Sequence, residues 1–266
     1  AIDELRSSGR PLGTITAPVL GLKTGANEVF VGRLLESLGE TVAVELGGQR
    51  VVLESSLVRP ALRGRDIRAF RTYANRIILW THDETGEPLR VLPCKARRYF
   101  LRQSAILRSR KDYRTGPPWS VFRVAGAISK HRVVWSDISR RPRAVALDET
   151  DAKSGIPLNS CYLAPVGDAK TALVVAATMN STWAHALVTA YADEARGGYR
   201  RVNSRVASQI PIPVTGPKQD KLAELSRLMH NQTNVENYDV DEVVADALDL
   251  SAKTRTTLRE LSANQR

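Results

Sequence analysis

The hydrophobic positions in the first 80 residues form short runs that are apolar or that alternate with polar residues. Such runs occupy residues 29–31, 41–46 and 50–53, and Gly47-Gly48 between the last two is typical of a hairpin turn. Residues 76–80 are apolar without alternation, which indicates a central strand. The polar residues 23–27 read as a loop. The first 60 residues therefore predict β structure, with a further strand at residues 76–80.

The spacing changes to that of a helix at residues 89–110, where arginines fall between the apolar positions. Pro93 must lie in the first turn of this helix or just before it. Short strands are predicted at residues 121–122, 132–135, 144–147 and 161–163. Residues 170–179 are apolar nearly all round, which predicts a buried helix, and Ser181 can cap a second helix over residues 182–195.

The pattern changes again near Gly216. Residues 210–213 read Ile-Pro-Ile-Pro, and two prolines confine a strand to an edge or a connector. Three helices are then predicted, over residues 220–230, 239–250 and 251–261. We therefore place a domain boundary here, with one domain over residues 1–216 and a helical segment over residues 217–266.

The charge of the chain is strongly basic and unevenly spread. Its 266 residues are 42% hydrophobic, an ordinary value for a globular protein, and 39 Lys and Arg against 28 Asp and Glu give a formal net charge of +11. Residues 59–143 hold 21 of the basic residues and only 6 of the acidic ones. This concentration favours a nucleic acid as partner, with a membrane surface or an acidic protein as alternatives. No long basic amphipathic helix supports the membrane alternative.

The two cysteines, Cys94 and Cys161, exclude a disulfide framework and fit a reducing, cytoplasmic compartment. The longest apolar run, residues 172–177, is far shorter than the roughly 20 residues that span a bilayer. The N-terminus has neither a signal-peptide core nor an initiator Met. We expect a cytoplasmic processed product or a fragment of a larger protein.

Three sets of residues resemble the motifs of one protein family. Residues 20–31 read Leu-Gly-Leu-Lys-Thr-Gly-Ala-Asn-Glu-Val-Phe-Val, and residues 58–67 read Val-Arg-Pro-Ala-Leu-Arg-Gly-Arg-Asp-Ile. The third set is Met179-Asn180-Ser181, the Arg-Gly-Gly-Tyr-Arg-Arg of residues 196–201 and the Ile-Pro-Ile-Pro of residues 210–213. Their order resembles the C-terminal target-recognition domain of adenine-specific DNA methyltransferases, including the fused type IIG restriction–modification enzymes. The last motif also resembles the specificity subunits of type I restriction systems.

The resemblance covers residues 19–214 and implies both a fold and a function. The implied fold is α+β, with antiparallel sheet or barrel-like lobes, flanking helices and the C-terminal helical segment. The implied partners are double-stranded DNA and the missing methyltransferase domain of the same polypeptide, where S-adenosylmethionine would bind. The chain itself is then a sequence-recognition module without a cofactor, and the parent a site-specific adenine DNA methyltransferase with or without a nuclease.

The sequence lacks the motifs expected of the family's catalytic methyltransferase domain. It has no Phe-x-Gly-x-Gly loop, and its nearest match to an Asn/Asp/Ser-Pro-Pro-aromatic motif is Gly116-Pro117-Pro118-Trp119. Glycine has no side-chain acceptor for an adenine amino group, so we expect a turn that leads Trp119 into the core or onto DNA. We therefore expect no catalytic residue in this chain.

Two other functions stay open. A Mg²⁺-dependent nuclease motif could be formed by Asp137, Asp151 and Lys153, with the carboxylates holding the metal. The second hypothesis about function is therefore a self-contained nuclease. The third is a nucleic-acid-binding protein without sequence choice. The four histidines stand far apart, so no zinc site is predicted.

DNA contacts are expected on loops between strands, because a rigid sheet positions them. Arg and Lys suit guanine, and Asn suits adenine. The candidates are Lys23, Thr24, Asn27, Arg63, Arg65, Arg68, Arg108, Arg110, Lys111, Arg114, Trp119, Lys130, Arg132, Arg140, Arg141, Tyr199, Arg200, Arg201 and Asn203.

Some residues in these stretches have an equally simple structural explanation. Asp66 is expected to pair with a nearby arginine, and Trp80 and Trp183 to lie in the core. The aromatic residues among the basic ones, Tyr113, Trp119 and Tyr199, could either pack in the fold or stack on a base.

Overall fold

The computed structural model describes residues 1–148, 154–213, 216–231 and 240–263. In these residues the strands are β1 Arg10–Pro11, β2 Val19–Leu20, β3 Val31–Leu38, β4 Thr41–Leu46, β5 Gln49–Glu54, β6 Val58–Leu62, β7 Ile67–Arg68, β8 Arg71–Thr72, β9 Arg76–Leu79, β10 His131–Ser136, β11 Ile138–Ser139, β12 Ala144–Asp148, β13 Ile156–Pro157, β14 Cys161–Val166, β15 Glu194–Ala195, β16 Tyr199–Arg201 and β17 Pro211–Ile212. The helices are α1 Ile2–Ser7, α2 Leu12–Ile15, α3 Asn27–Phe30, α4 Cys94–Arg102, α5 Ser104–Arg108, α6 Val124–Ala127, α7 Ala169–Asn180, α8 Thr182–Tyr191, α9 Ser204–Ala207, α10 Pro217–Asn231, α11 Val240–Ala247 and α12 Ala252–Ala263.

A six-stranded sheet forms the first of two cores, in the order β13-β6-β9-β3-β4-β5. Its pairs are antiparallel except for β13 with β6. The predictions of strands at residues 41–46 and 50–53 and of an interior strand at 76–80 are confirmed. The prediction of a strand at residues 29–31 was wrong for its first two residues. Val29 and Phe30 end α3 and are both buried, and a short apolar run does not distinguish a strand from a buried helical turn.

Helices α4 and α5 pack against this sheet. The predicted single helix over residues 89–110 is two shorter helices, because the chain leaves the α region at Gln103 (ψ 2°). Pro93 precedes α4, as predicted, and offers no side-chain cap. The Glu54 carboxylate of β5 takes that role, since it accepts hydrogen bonds from the Lys95 and Ala96 amides at 2.8 and 3.0 Å.

A four-stranded antiparallel sheet, β12-β10-β14-β2, lies against the second core. The strands predicted at residues 132–135, 144–147 and 161–163 are confirmed here, whereas residues 121–122 form only one bridge, from Phe122 to Lys23. Helix α7 is buried as predicted. The Ser181 side chain caps α8 by accepting from the Ala184 amide, also as predicted, although α8 ends at Tyr191 instead of residue 195. Residues 194–195 pair with β16 instead, in a hairpin that turns at two glycines.

The C-terminal helices α10, α11 and α12 share the second core. Leu222, Val244 and Leu258 belong to the same buried cluster as Trp183 of α8 and Leu5 of α1.

Trp80 is buried in the first core, so both Trp80 and Trp183 are placed as predicted. Strand β17, with its prolines, pairs only with β1 in the described residues, which is the edge position predicted for it. The division at residue 216 stays a prediction.

The α+β class is confirmed, with antiparallel sheets flanked by helices and no closed barrel in the described residues. Among the described residues, no helix combines the length and the apolar composition that crossing a membrane requires.

Candidate nucleic-acid interface

A cleft of about 340 Å³ gathers residues from three distant parts of the chain, two of which supply its arginines. We call it the arginine cleft and define it by six residues: Arg65, Arg68, Arg140, Arg141, Arg143 and Tyr199. Among the described residues, those that line it include these five arginines and no Asp or Glu. A concave surface lined by one sign of charge concentrates the field, so the cleft attracts a polyanion.

The sheet register brings two of the three parts together. Strand β11 pairs with β16 so that Ile138 faces Arg201 and Ser139 faces Arg200. Continuing this antiparallel register places Arg140 beside Tyr199. The Arg140 guanidinium lies over the Tyr199 ring, 5.4 Å from its centroid. The backbone of two paired strands therefore fixes the position of this pair.

The third part enters the cleft through Gly64. The Gly64 amide donates to Ser160 Oγ at 3.0 Å. A Cβ at this position would lie 2.5 Å from Ser136 Oγ and 2.7 Å from the Ser160 carbonyl oxygen, so only glycine allows this approach. Gly64 thereby packs the turn that carries Arg65 against the strand that leads to Arg140.

Arg63 and Asp66 close the same turn. The Arg63 side chain donates to both Asp66 carboxylate oxygens at 2.9 Å, and the Arg63 amide donates to one of them, also at 2.9 Å. Asp66 is buried, so the prediction that it pairs with a nearby arginine is confirmed. Arg65, between these two residues, is exposed.

A neighbouring cavity of about 730 Å³ extends the basic surface. It shares Arg68 and Arg143 with the arginine cleft and adds Arg71 and Tyr73. Sequence reasoning missed Arg71 and Arg143 as candidates. Their membership in the basic stretch of residues 59–143 was the available signal, and Arg143 stands two positions after the candidate Arg141.

A second group of candidates surrounds Arg110, which is buried. Its guanidinium donates to the carbonyl oxygens of Thr24 (2.6 Å), Ser120 (2.8 Å) and Pro118 (2.6 Å). It also lies 5.0 Å from the centroid of the Phe122 ring. Burial lowers the pKa of Arg110, whereas the nearby Tyr113 and Asp112 raise it. Arg110 therefore holds two loops together inside the fold.

The loops that Arg110 joins present other candidates to solvent. Lys23 forms an ion pair with Asp112 at 2.5 Å, and this contact is the main cause that lowers the pKa of the Asp112 carboxyl. Asn27 is exposed and accepts a hydrogen bond from the hydroxyl of the buried Thr24 at 2.6 Å. The exposed basic residues within four positions of Arg110 in the sequence are Arg108, Lys111 and Arg114.

The proline-rich turn is structural. Gly116 has a φ of +89°, and the Trp119 indole N–H donates to the Leu89 carbonyl oxygen at 2.8 Å. The half-buried Trp119 ring packs against the first core. The turn thus leads Trp119 into the core, one of the two alternatives that the sequence left open.

One segment anchors both groups of candidates. The Leu22 amide donates to the Pro157 carbonyl oxygen at 2.8 Å, and three residues further along Ser160 binds the Gly64 amide. The loop with Lys23 and the turn with Arg65 are therefore both fixed to residues 157–160. This arrangement gives the two basic surfaces a common rigid base.

Several other candidates form hydrogen bonds within the fold. Arg132 is buried and donates to the Ser129 carbonyl oxygen and to Ser154 Oγ, both at 2.7 Å. Arg200 is buried and donates to the Ala192 carbonyl oxygen, and Asn203 caps α9. Lys130 and Arg201 are exposed, with Arg201 4.0 Å from Asp137. The DNA contacts of all these residues stay predictions.

The described residues offer no metal site: no three His, Cys, Asp or Glu side chains in residues 1–148, 154–213, 216–231 and 240–263 are grouped to hold an ion. Asp137 of the alternative nuclease motif is partly buried, which raises its pKa, and the Arg201 charge opposes this shift. Asp151 and Lys153 of that motif lie outside the described residues.

The solved structures that resemble this chain include two restriction enzymes. One is the type IIL restriction-modification enzyme MmeI in complex with DNA: the likeness covers 96% of this chain and 33% of that one, at a TM-score of 0.53 and 12% sequence identity. The other is the type IIG restriction endonuclease BpuSI, with 80% of this chain and 27% of that one covered, a TM-score of 0.46 and 11% identity. The likeness to MmeI shows a shared fold, and the chain spans about a third of the length of MmeI. No protein-family model and no curated protein matches the sequence.

Proposed function

We propose that this chain is the sequence-specific duplex DNA recognition module of an adenine-specific DNA methyltransferase, within a cytoplasmic restriction–modification enzyme. The arginine cleft is the observation that carries the proposal. Five arginines from two distant segments, residues 65–68 and 140–143, line one concave surface, and no carboxylate among the described lining residues neutralises them. Phosphate groups are the natural occupants of such a surface.

The fold supports the same conclusion. The chain shares its fold with a third of MmeI, a restriction-modification enzyme whose structure is in complex with DNA. The motifs that resemble a target-recognition domain also coincide with the candidate interface. Gly64 and Arg65 belong to the second motif and Tyr199 to the third, while the first motif contains Lys23 and Asn27.

The geometry divides the candidates into two roles. The exposed or partly exposed ones would contact phosphates and base edges: Lys23, Asn27, Arg65, Arg68, Arg108, Lys111, Arg114, Lys130, Arg140, Arg141, Tyr199 and Arg201, together with Arg71 and Arg143. The others hold the loops that carry these residues: Thr24, Arg63, Arg110, Trp119, Arg132, Arg200 and Asn203. Lys23 would exchange its ion pair with Asp112 for a DNA phosphate.

Catalysis is assigned to a domain outside this chain. That domain would bind S-adenosylmethionine, which supplies the methyl group. The residues of this chain would bind the duplex and orient the target adenine toward it. Phosphate contacts would supply most of the affinity and its salt dependence, whereas side chains in the major groove would supply the choice of sequence.

The experiment is a selection of duplexes from a random pool by the purified chain, at two salt concentrations. The proposal predicts that one motif with an adenine in its core is recovered at both concentrations, without cleavage or methylation. Recovery without a motif, lost at higher salt, would contradict it in favour of non-specific binding. Mg²⁺-dependent cleavage that Asp151→Ala abolishes would contradict it in favour of a nuclease.

A further inference from the structure

We propose that Tyr199 stacks on a DNA base, with Arg140 holding its ring in position. The inference deepens the proposed function and rests on it, because it concerns how the same surface reads DNA. The ring stands in the arginine cleft, where 41% of the residue is exposed, and Arg140 covers one face at 5.4 Å from the centroid. A partner that fits this site must offer negative charge to the five arginines and a flat apolar face to the exposed ring. A nucleobase on a phosphate backbone has both properties.

The backbone around Tyr199 is tied to the rest of the fold, which such a role requires. Gly197 and Gly198 both have a positive φ, 77° and 75°, and turn the chain tightly just before Tyr199. The next residue, Arg200, is buried and bonded to the Ala192 carbonyl oxygen. The Val202 carbonyl oxygen accepts the indole N–H of the fully buried Trp135 at 2.8 Å. The ring is thus displayed at the end of a fixed hairpin instead of a free loop.

Three other aromatic residues of the basic stretch do not meet these conditions. The Trp119 indole is bonded to Leu89 and packs in the first core. The Tyr113 hydroxyl donates to the Gly116 carbonyl oxygen at 2.7 Å, and the Tyr113 ring faces the buried Arg110. Tyr73 is exposed near the same basic surface, but no guanidinium lies over its ring among the cation–π contacts of the described residues. Tyr73 therefore serves as a matched control.

Stacking makes a prediction that differs from that of a phosphate contact. A stacked ring loses its partner when one base is removed, whereas a phosphate contact is indifferent to that change. Base–aromatic stacking commonly contributes about tenfold in affinity. Arg140 would add a cation–π contact on the opposite face of the Tyr199 ring, which gives an Arg–Tyr–base stack.

The experiment is a double-mutant cycle between the protein and an abasic site. An abasic residue is moved through the duplex of highest affinity from the random pool, and dissociation constants are measured for the wild type, Tyr199→Ala, Tyr199→Phe and Tyr73→Ala. We expect one position where the abasic site weakens binding about tenfold in the wild type and in Tyr199→Phe, but less than twofold in Tyr199→Ala. Tyr73→Ala should behave as the wild type does at every position.

Each other outcome overturns the inference. Coupling that is absent at every position shows that the ring touches no base. Coupling that Tyr199→Phe also abolishes shows a hydrogen bond from the hydroxyl instead of stacking. Both results leave duplex binding intact and so leave the proposed function standing. A wild-type chain that binds no duplex contradicts the proposed function itself, and the stacking with it.

Discussion

The Arg110 guanidinium donates a hydrogen bond of 2.6 Å to the carbonyl oxygen of Thr24, 86 residues earlier in the chain. The same side chain binds the carbonyl oxygens of Pro118 and Ser120. One buried arginine thus joins the loop of Lys23 and Asn27 to the proline-rich turn.

This contact predicts a large effect on stability from a conservative substitution. Lysine at position 110 keeps the charge but cannot reach three separate carbonyl groups, so Arg110→Lys leaves buried acceptors without a donor. We expect the free energy of unfolding to fall by about 3 kcal/mol, and the midpoint of thermal unfolding by roughly 6–12 °C. The matched control, Arg114→Lys, alters an exposed arginine and should change stability by less than about 0.5 kcal/mol. Equal midpoints for the two variants would show that Arg110 does not anchor the loops.

Gly64 predicts a second effect, on stability and on binding together. An alanine methyl group at this position meets Ser136 Oγ and the Ser160 carbonyl oxygen, so the turn of Arg65 must move away from the strand that leads to Arg140. We expect Gly64→Ala to lower the free energy of unfolding by about 2 kcal/mol and to weaken duplex binding. Gly167→Ala is the control, since a Cβ at position 167 meets no atom within 4 Å. The account is contradicted if both variants melt and bind as the wild type does.

Two buried histidines predict that stability falls as the pH falls. Burial lowers the pKa of His82 to about 4, against the opposing charge of Asp83. Burial, followed by the charges of Arg141 and Arg200, lowers the pKa of His185 to about 4 as well. Between pH 7.5 and 5.5 the unfolded chain protonates both rings, with a pKa near 6.5, while the folded chain does not. Protons therefore favour unfolding, and each histidine should remove about 1.4 kcal/mol over this range.

His185 is the more informative of the two, because it supports the arginine cleft. Its Nδ1 lies 2.6 Å from Ser262 Oγ on α12, and the ring hydrogen-bonds the Arg140 backbone. Urea unfolding at pH 7.5 and 5.5 measures the difference in stability. His185→Gln cannot titrate, so the difference should shrink by about half, whatever the variant does to stability at pH 7.5. An unchanged difference would show that His185 titrates alike in the folded and unfolded chain.

The periodic parts of the sequence predict the fold best. Residues 41–46 are a short run of β-forming residues, residues 170–179 are apolar nearly all round, and Ser181 is a strong cap; these elements are where the pattern places them. The errors fall where local pattern has little to say. Val29 and Phe30 are equally suited to a strand and a helical turn, and nothing in the apolar spacing marks the break at Gln103.

The site is harder to predict, because neighbours in sequence have opposite environments. Arg110 is buried on three carbonyl groups and Lys111 is exposed, although the two are adjacent in the same basic stretch. The carbonyl groups that bury Arg110 come from residues 24, 118 and 120, and no local pattern links them. The sequence predicts a basic surface, whereas the fold decides which arginines form it.

The most direct test of the account is the salt dependence of duplex binding by two variants of equal charge. Arg65→Ala/Arg141→Ala removes two arginines of the arginine cleft, and Arg33→Ala/Arg50→Ala removes two that pair with Glu45 and Glu36 on the β3–β4–β5 strands. We predict that the cleft variant loses affinity and that its slope of log K against log salt falls by about 2, while the strand variant matches the wild type. Equal losses in the two variants would mean that net charge, and not the arginine cleft, binds the DNA.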